Sequence, residues 1–230
     1  MKQERNYNRR YAKEYGWGRT LFYTLFRLIV VNNFMNIFYN YKIYGRENVP
    51  KDKGRYIYAA NHVSIFDPPM IPFATKTHIA YMAKEELFHK EEKLSWLVKR
   101  LGAFAVNRTK PEIATFKTVR DIMTTTWSLG VFPQGGTRPY GKLEDIKKGF
   151  AVIAKAAKAD IVPVAIADFD GYPKIKPFTR RHVTIHIGKP ISYELPDEVI
   201  EYEWAKFICE HADYENCVPK PENYEETMAV

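Results

Sequence analysis

Apolar residues along the chain fall into short continuous runs and into stretches with helical spacing. The runs predict buried strands, and the periodic stretches predict amphipathic helices. The predicted strands are 41–45, 56–60, 78–83, 103–106, 130–132, 161–167 and 183–187, and the predicted helices are 92–101, 111–127, 145–158 and 196–211, with another beginning at residue 67. This alternation predicts an α/β fold, a single domain with a largely parallel central sheet flanked by helices.

The N-terminal segment has a different pattern. From Trp17 it is apolar around most of a helical circumference, apart from a narrow polar stripe at Thr20, Thr24 and Arg27. The uncharged run after Arg27 is 14 residues long, whereas a bilayer span needs about 20 apolar residues. The polar residues from Asn32 onward predict a bend or a second short helix. We therefore expect an amphipathic helix that lies in a membrane interface, with a helix packed on the domain core as the alternative.

Charge is distributed unevenly along the chain. The first 190 residues carry an excess of 17 positive charges and the last 40 an excess of 9 negative charges, for a net charge of +8. The basic part favours a polyanionic partner, either nucleic acid or an anionic membrane surface with its phosphorylated lipids. Five cations around the start of the apolar segment favour the membrane. They are Arg5, Arg9, Arg10, Lys13 and Arg19.

These patterns predict three regions. Residues 1–40 form a membrane-association segment, 41–215 the α/β domain and 216–230 an acidic tail. The cysteines Cys209 and Cys217 form no CxxC motif and no signal peptide is recognisable, so we expect a reduced intracellular setting at the cytoplasmic face of the membrane, peripheral or monotopic. We expect no nucleic-acid partner, because the sequence has neither zinc-finger spacing nor an RNP-like aromatic pattern.

The stretch YAANHVSIFDPPM carries the first candidate chemistry. His62 and Asp67 lie five residues apart, a spacing that brings side chains together neither on a helix nor on a strand. They can meet only across a bend, which a strand ending at Ala60 and a helix beginning at Asp67 provide. A carboxylate bound to one imidazole nitrogen would leave the other available as a base. A helix-capping aspartate beside an unrelated histidine is the alternative.

Two later loops contain candidate anion-binding groups. Arg108 follows a predicted strand and precedes a predicted helix, where its guanidinium could bind a phosphate. In GVFPQGGTRPYGK the adjacent Gly135 and Gly136 allow backbone amides to form an anion nest, to which Thr137 and Arg138 add donors. A surface arginine and a plain glycine turn are the corresponding alternatives.

Together these motifs resemble the lysophospholipid acyltransferase family, specifically the bacterial 1-acyl-glycerol-3-phosphate acyltransferases. The resemblance covers about residues 41–190 and includes YGRENVP, NHVSIFDP, MAKEELF, GAFAVNR, VFPQGGTR, KKGFAVIA, IVPVAI and VTIHIGKPI. It implies transfer of a fatty acyl group from acyl-CoA or acyl carrier protein to the sn-2 hydroxyl of lysophosphatidate, giving phosphatidate. No cofactor is implied, and the sequence offers no third metal ligand beside His62 and Asp67 with credible spacing.

The resemblance also implies roles for individual residues. His62 would be the general base and Asp67 would orient it, without an acyl-enzyme. Arg108 and the loop residues would bind the acceptor and its phosphate, Pro163 would help to shape the acyl site, and Asn61 would assist the loop around His62. The predicted substrate-binding residues are Asn61, Arg108, Gln134, Gly135, Gly136, Thr137, Arg138 and Pro163.

The chain departs from the family pattern at Gln134, where the family usually has glutamate. Glutamine cannot carry a charge, so acid–base chemistry is expected to rest on His62 and Asp67. Ser64 leaves open a covalent route, although no GxSxG elbow surrounds it. A non-catalytic anionic-lipid-binding relative and an acyltransferase for another lyso-lipid remain as alternative functions.

Overall fold

A computed structural model describes residues 8–52, 55–89, 91–106, 112–138, 140–143, 146–147, 149–168 and 180–229. The strands are β1 Tyr39–Tyr44, β2 Tyr56–Ala60, β3 Ile79–Lys84, β4 Phe104–Val106, β5 Ser128–Val131, β6 Gly141–Leu143, β7 Asp160–Ala167, β8 Arg181–Ile187 and β9 Tyr214–Asn216. The helices are α1 Trp17–Phe26, α2 Asn32–Phe38, α3 Asp67–Thr75, α4 Glu92–Arg100, α5 Ile113–Met123, α6 Gly149–Ala157, α7 Asp197–His211 and α8 Tyr224–Met228.

Seven of the nine described strands form one sheet in the order β1-β8-β7-β2-β5-β3-β4, and β6 pairs with β9. Every neighbouring pair is parallel except β7 and β8. Helices α2 and α3 cover one face of the sheet, and α5, α6 and α7 cover the other. The predicted α/β fold with a largely parallel central sheet is therefore confirmed.

The centre of this sheet places two loops side by side. Strands β2 and β5 are parallel neighbours, with Ala59 opposite Val131. Both strands end at the same edge, so the loop that contains His62 and the loop that begins at Phe132 emerge together. Ligands usually bind at such carboxyl edges of α/β sheets.

Helix α5 is shorter than predicted. It ends at Met123 rather than reaching Trp127, and it begins at Ile113. The helical spacing of Ile113, Phe116, Val119, Met123 and Trp127 predicts five core residues. Trp127 is fully buried just before β5, but Ile113 is 75% exposed, so its prediction is wrong. Ile113 lies two residues, about 200° of helical rotation, from the buried Thr115, so its side chain points away from the sheet. Thr109 and Glu112 predict a capping box at the start of this helix, but Thr109 lies outside the described residues.

The N-terminal helix is continuous from Trp17 to Phe38, with a π-helical stretch Arg27–Val31 between α1 and α2. Its 22 residues make it long and apolar enough to cross a membrane by length and composition. The expectation that the uncharged run after Arg27 leaves this segment too short and too polar for a span is therefore wrong, because the helix is continuous through Arg27 and the residues before Arg27 add to its length. A second helical part does begin at Asn32, which was one of the predicted outcomes.

The packing of this helix shows which side faces the domain. Thr20 accepts a hydrogen bond from the indole Nε1 of Trp127 at 2.9 Å, and the Thr24 hydroxyl lies 2.8 Å from Nε2 of His78. The predicted polar stripe thus faces the protein. The outward side is apolar, with exposed Trp17, Leu21, Leu25, Leu28, Ile29, Val30, Ile37 and Phe38. We call these eight residues the outer apolar face.

Cations before and within the first turn of this helix bind the protein. Arg9 pairs with Asp121 at 2.6 Å, and Arg10, which pairs with Glu14 of its own segment at 2.9 Å, also donates to the carbonyl oxygen of Ala103 at 3.4 Å. Arg19 donates to the carbonyl oxygen of Lys99 at 2.7 Å. These three arginines hold the N-terminal segment on the domain. This structural role is additional to the predicted attraction of the cations to an anionic membrane.

Candidate active site

His62 and Asp67 meet across the predicted bend. Strand β2 ends at Ala60, and α3 begins at Asp67 with proline in its first turn. The Nδ1 atom of His62 lies 2.7 Å from Oδ2 of Asp67. The backbone N–H groups of Val63 and Ser64 donate to the same oxygen, each at 2.7 Å. A carboxylate acceptor at Nδ1 places the proton there and leaves Nε2 of the neutral ring as the basic nitrogen.

The Asp67 carboxyl group is completely buried. Burial raises its pKa, while the hydrogen bond from His62 and the N–H groups of Ser64 and Val63 act in the opposite direction without cancelling the rise. Its Oδ1 atom has no hydrogen-bond partner among the described residues. A carboxylate so poorly solvated interacts strongly with an adjacent cation, so it favours an imidazolium that forms beside it.

Aromatic rings fix the plane of the His62 imidazole. The ring of Phe132 stacks on it with centroids 4.2 Å apart and an interplanar angle of 24°. The Tyr81 ring stacks in turn on Phe132 with centroids 5.7 Å apart, and the Tyr81 hydroxyl donates to the carbonyl oxygen of Pro68 in α3. The His62 side chain is 15% exposed, so one part of the ring remains open to a substrate. Sequence reasoning missed Phe132 and Tyr81, although Phe132 lies within the quoted VFPQGGTR motif.

Asn61 and Gln134 hold the backbone on both sides of His62. The Asn61 side chain donates to the carbonyl oxygen of Ile166 at 2.9 Å and accepts from its N–H at 2.7 Å. The Oε1 atom of Gln134 accepts the His62 N–H at 2.7 Å. Both side chains are buried, with 0% and 3% exposure. Their observed contacts are with the protein, and substrate contact for either residue stays a prediction.

The loop of residues 132–138, which contains Gly135 and Gly136 and which we call the glycine loop, folds over the His62 backbone. Gly135 adopts a left-handed conformation with φ of 70°, which favours glycine because other residues lose free energy there. A Cβ atom on Gly135 would also lie 3.2 Å from the Lys147 side chain. The Arg138 N–H donates to the carbonyl oxygen of His62 at 2.7 Å. The loop therefore brings Gly136, Thr137 and Arg138 next to the candidate base, with the last two side chains exposed.

One predicted residue, Pro163, lies away from this arrangement, and another, Arg108, lies outside the described residues. Pro163 is buried in the middle of β7 opposite Ala59, and its ring faces Gly188 and Phe207 on the side of the sheet that α7 covers. Asp67 begins α3 on the other face, so the structure does not bring Pro163 next to the His62–Asp67 pair. Its predicted role in the acyl site stays a prediction.

Ser64 is placed poorly for nucleophilic attack. Its side chain is fully buried, and its hydroxyl oxygen accepts the Phe66 N–H at 3.2 Å. Its backbone N–H binds the same Asp67 oxygen that binds His62. The serine therefore completes the turn between β2 and α3.

Among the described residues no group of three or more histidine, cysteine or acidic side chains is arranged to hold a metal ion.

Comparison with known proteins gives concordant results. The sequence model of the acyltransferase family matches residues 40–167. A 1-acyl-sn-glycerol-3-phosphate acyltransferase from Streptococcus pneumoniae is 32% identical over 191 residues, which cover 80% of this chain and 69% of that protein. The protein of the same name from Bacillus subtilis is 32% identical over 153 residues, covering 65% and 73%.

A solved structure has the same fold. It is the crystal structure of the 1-acyl-sn-glycerophosphate acyltransferase PlsC from Thermotoga maritima, with a TM-score of 0.67. The two chains are 24% identical, and the alignment covers 84% of this chain and 80% of that one. At this level of identity the likeness concerns the fold alone.

Proposed function

Because the chain belongs to the acyltransferase family, we propose that it transfers a fatty acyl group to the sn-2 hydroxyl of 1-acyl-glycerol-3-phosphate and releases phosphatidate. The observation that carries the mechanism is the contact of 2.7 Å between His62 Nδ1 and the buried Asp67 carboxylate. The names of the relatives support the acceptor. The donor is a thioester, acyl-CoA or acyl carrier protein.

In the proposed reaction the Nε2 atom of His62 removes the proton from the acceptor hydroxyl as its oxygen attacks the thioester carbonyl carbon. The new C–O ester bond forms, the C–S bond breaks, and the proton passes from His62 to the departing thiolate. Asp67 stabilises the imidazolium between these two transfers. General-base assistance of this kind contributes about 10²- to 10⁴-fold in rate.

Acceptor binding is assigned to the glycine loop. Arg138 supplies a guanidinium for the phosphate, and Thr137 and the backbone of Gly136 supply further donors. The hydrogen bond from the Arg138 N–H to the His62 carbonyl oxygen supports these roles, because this bond couples the position of the glycine loop to that of the base. Arg108 is proposed as a second phosphate ligand on the family resemblance alone.

Membrane association is part of the proposal. The outer apolar face would enter the interfacial region of one leaflet, at the cytoplasmic face of the membrane. Contacts of the helix with the domain extend from Thr20 to Phe34, whose ring lies 5.1 Å from that of Phe66 beside the candidate site. A helix bound to the domain along this length supports a monotopic or peripheral arrangement, in which lipid could reach His62 from the side.

The experiment uses the purified full chain in mild detergent with lysophosphatidate and, separately, acyl-CoA and acyl carrier protein. Free thiol and phosphatidate are measured together, and we expect equal amounts of both with at least one donor. Other lyso-lipids are tested in parallel to identify the preferred acceptor. Thiol release without any acylated lipid would contradict the proposal, as would an absence of turnover with every lyso-lipid.

A further inference from the structure

Helix α4 lies against the N-terminal helix, and its outer side carries an exposed tryptophan. Trp96 is 59% exposed, and its ring packs edge-on against that of Phe22 in α1, with centroids 5.9 Å apart. Arg19 of α1 donates to the carbonyl oxygen of Lys99 in α4 at 2.7 Å. Trp96 therefore lies beside the outer apolar face, although it belongs to a different helix.

Two cations flank this tryptophan. Lys93 lies three positions before Trp96 and Arg100 four positions after it, a spacing that places all three side chains on one face of a helix. Both cations are exposed, and the Arg100 guanidinium lies over the ring of Phe22, 5.3 Å from its centroid. None of the ion pairs between described residues includes Lys93 or Arg100. Both positive charges are therefore available to an anionic partner.

The opposite side of α4 is fixed to the domain. Ser95 is buried, and its hydroxyl donates to the carbonyl oxygen of Phe88 at 2.7 Å. Val98 packs against the small apolar cluster that includes Ala103 and Ala105. The orientation of α4 thus directs Trp96 outward. A large apolar side chain that continues an exposed apolar face indicates a contact surface.

The chemistry of this face suits the surface of an anionic membrane. Tryptophan is enriched at the level of the lipid headgroups, because its ring is apolar and its N–H is polar. Lysine and arginine bind lipid phosphates and are attracted to anionic leaflets. The acidic residues Glu91 and Glu92 lie at the amino end of the helix, where the helix dipole favours them.

We propose that α4 is a second membrane-contacting helix, in which Trp96 enters the interfacial region of an anionic leaflet while Lys93 and Arg100 bind phosphate groups of its lipids. The inference rests on the proposed membrane association of the outer apolar face and extends that contact to a helix of the α/β domain itself. A single helix in the interface leaves the domain free to roll about the helix axis. A second contact beside that axis restricts the rotation, and so fixes how the sheet edge that holds His62 faces the lipid.

The fluorescence of Trp96 tests this contact directly. The chain has four tryptophans, of which Trp127 and Trp204 are fully buried, so Trp17→Phe leaves Trp96 as the exposed one. We expect vesicles of phosphatidylcholine and phosphatidylglycerol with bromine on their acyl chains, close to the headgroup, to quench the emission of Trp17→Phe. The double variant Trp17→Phe with Trp96→Phe should bind the same vesicles and lose most of this quenching.

Sedimentation with unbrominated vesicles of the same lipids measures the contribution to binding. Lys93→Gln should weaken binding about fivefold, because it removes one cation from the anionic surface. Lys158→Gln is the matched control, since it removes the same charge from an exposed lysine directly after α6, which covers the opposite face of the sheet. Its binding should stay within about twofold of the wild type. Vesicles without phosphatidylglycerol should abolish the difference between the two variants.

Emission of Trp96 that brominated vesicles leave unchanged, although the protein binds them, would overturn the inference. Equal binding of Lys93→Gln and Lys158→Gln would overturn it too. A self-associated wild type that Trp96→Gln converts to a monomer, with vesicle binding retained, would assign the surface to a second copy of the chain. Acyl carrier protein binding that Lys93→Gln weakens, with vesicle binding retained, would assign it to that donor.

The vesicle measurements need no substrate, so they separate this inference from the proposed reaction. A wild type without turnover whose Trp96 is quenched would refute the reaction and leave the inference standing. A wild type that does not bind vesicles at all would overturn both the inference and the proposed membrane association.

Discussion

The Asp67 carboxylate receives three hydrogen bonds through a single oxygen, and the imidazole Nδ1 of His62 supplies one of them at 2.7 Å. The other two come from backbone N–H groups within the turn. The carboxylate therefore shapes the loop and orients the imidazole at the same time, so a change at Asp67 affects both backbone and chemistry.

Replacing Asp67 by asparagine should lower kcat by about 10²- to 10⁴-fold. An amide can still accept from the backbone N–H groups, but it cannot balance the charge of an imidazolium. KM for lysophosphatidate should change little, because the glycine loop remains. Asp213→Asn is the control, since that carboxyl group is exposed. A fall in kcat of less than about threefold would show that the carboxylate is dispensable.

Asp67 should also make the folding stability of the protein depend on pH, and Asp67→Asn should remove this dependence. Burial raises the pKa of Asp67 in the folded protein above its unfolded value of about 3.9. The folded state then retains this proton to higher pH than the unfolded state, so the stabilisation is present below about pH 4 and is lost as pH rises through the raised pKa.

Urea titrations of the wild type and Asp67→Asn between about pH 4 and pH 7 measure this effect, because the asparagine does not titrate. We expect the free energy of unfolding of the wild type to fall relative to that of the variant as pH rises. A relative increase over the same range would mean that hydrogen bonding, and not burial, dominates the titration of Asp67.

Ser64→Ala should keep kcat within about threefold of the wild type. The hydroxyl caps the Phe66 N–H inside the turn, and the net contribution of one such hydrogen bond is about 1 kcal/mol of stability. Mass spectrometry of the enzyme mixed with the thioester donor should find no acyl group on Ser64. An acylated Ser64 peptide together with an inactive Ser64→Ala variant would favour a covalent route.

Val30→Ser should weaken binding to vesicles of anionic lipid about fivefold, because Val30 belongs to the outer apolar face and is 48% exposed. Half-burial of a valine side chain in the membrane interface is worth roughly 1 kcal/mol. Val152→Ser on α6 is a matched control with 45% exposure on the opposite side of the sheet. Equal losses in a vesicle sedimentation assay would remove the support for this surface.

The sequence predicts the His62–Asp67 contact because local chemistry determines it. A strand that ends at Ala60 and the prolines that follow Asp67 leave little freedom for the six residues between Ala60 and Asp67. The buried strands were equally predictable from their apolar runs. The continuous N-terminal helix was not, because a polar stripe at Thr20 and Thr24 appears solvent-facing until Trp127 and His78 are placed beside it.

The supporting residues of the site depend on tertiary structure. Phe132 reaches His62 because β5 lies next to β2, an adjacency that sequence spacing does not reveal. The face of the sheet on which Pro163 lies depends on the register of β7.

The central claim is that Nε2 of His62 removes the proton from the acceptor hydroxyl. The most direct measurement is the rate of phosphatidate formation by His62→Ala compared with the wild type, at saturating lysophosphatidate and thioester. We expect a loss of at least about 10²-fold with lysophosphatidate binding retained. A His62→Ala variant that binds lysophosphatidate and forms phosphatidate at close to the wild-type rate would contradict the mechanism.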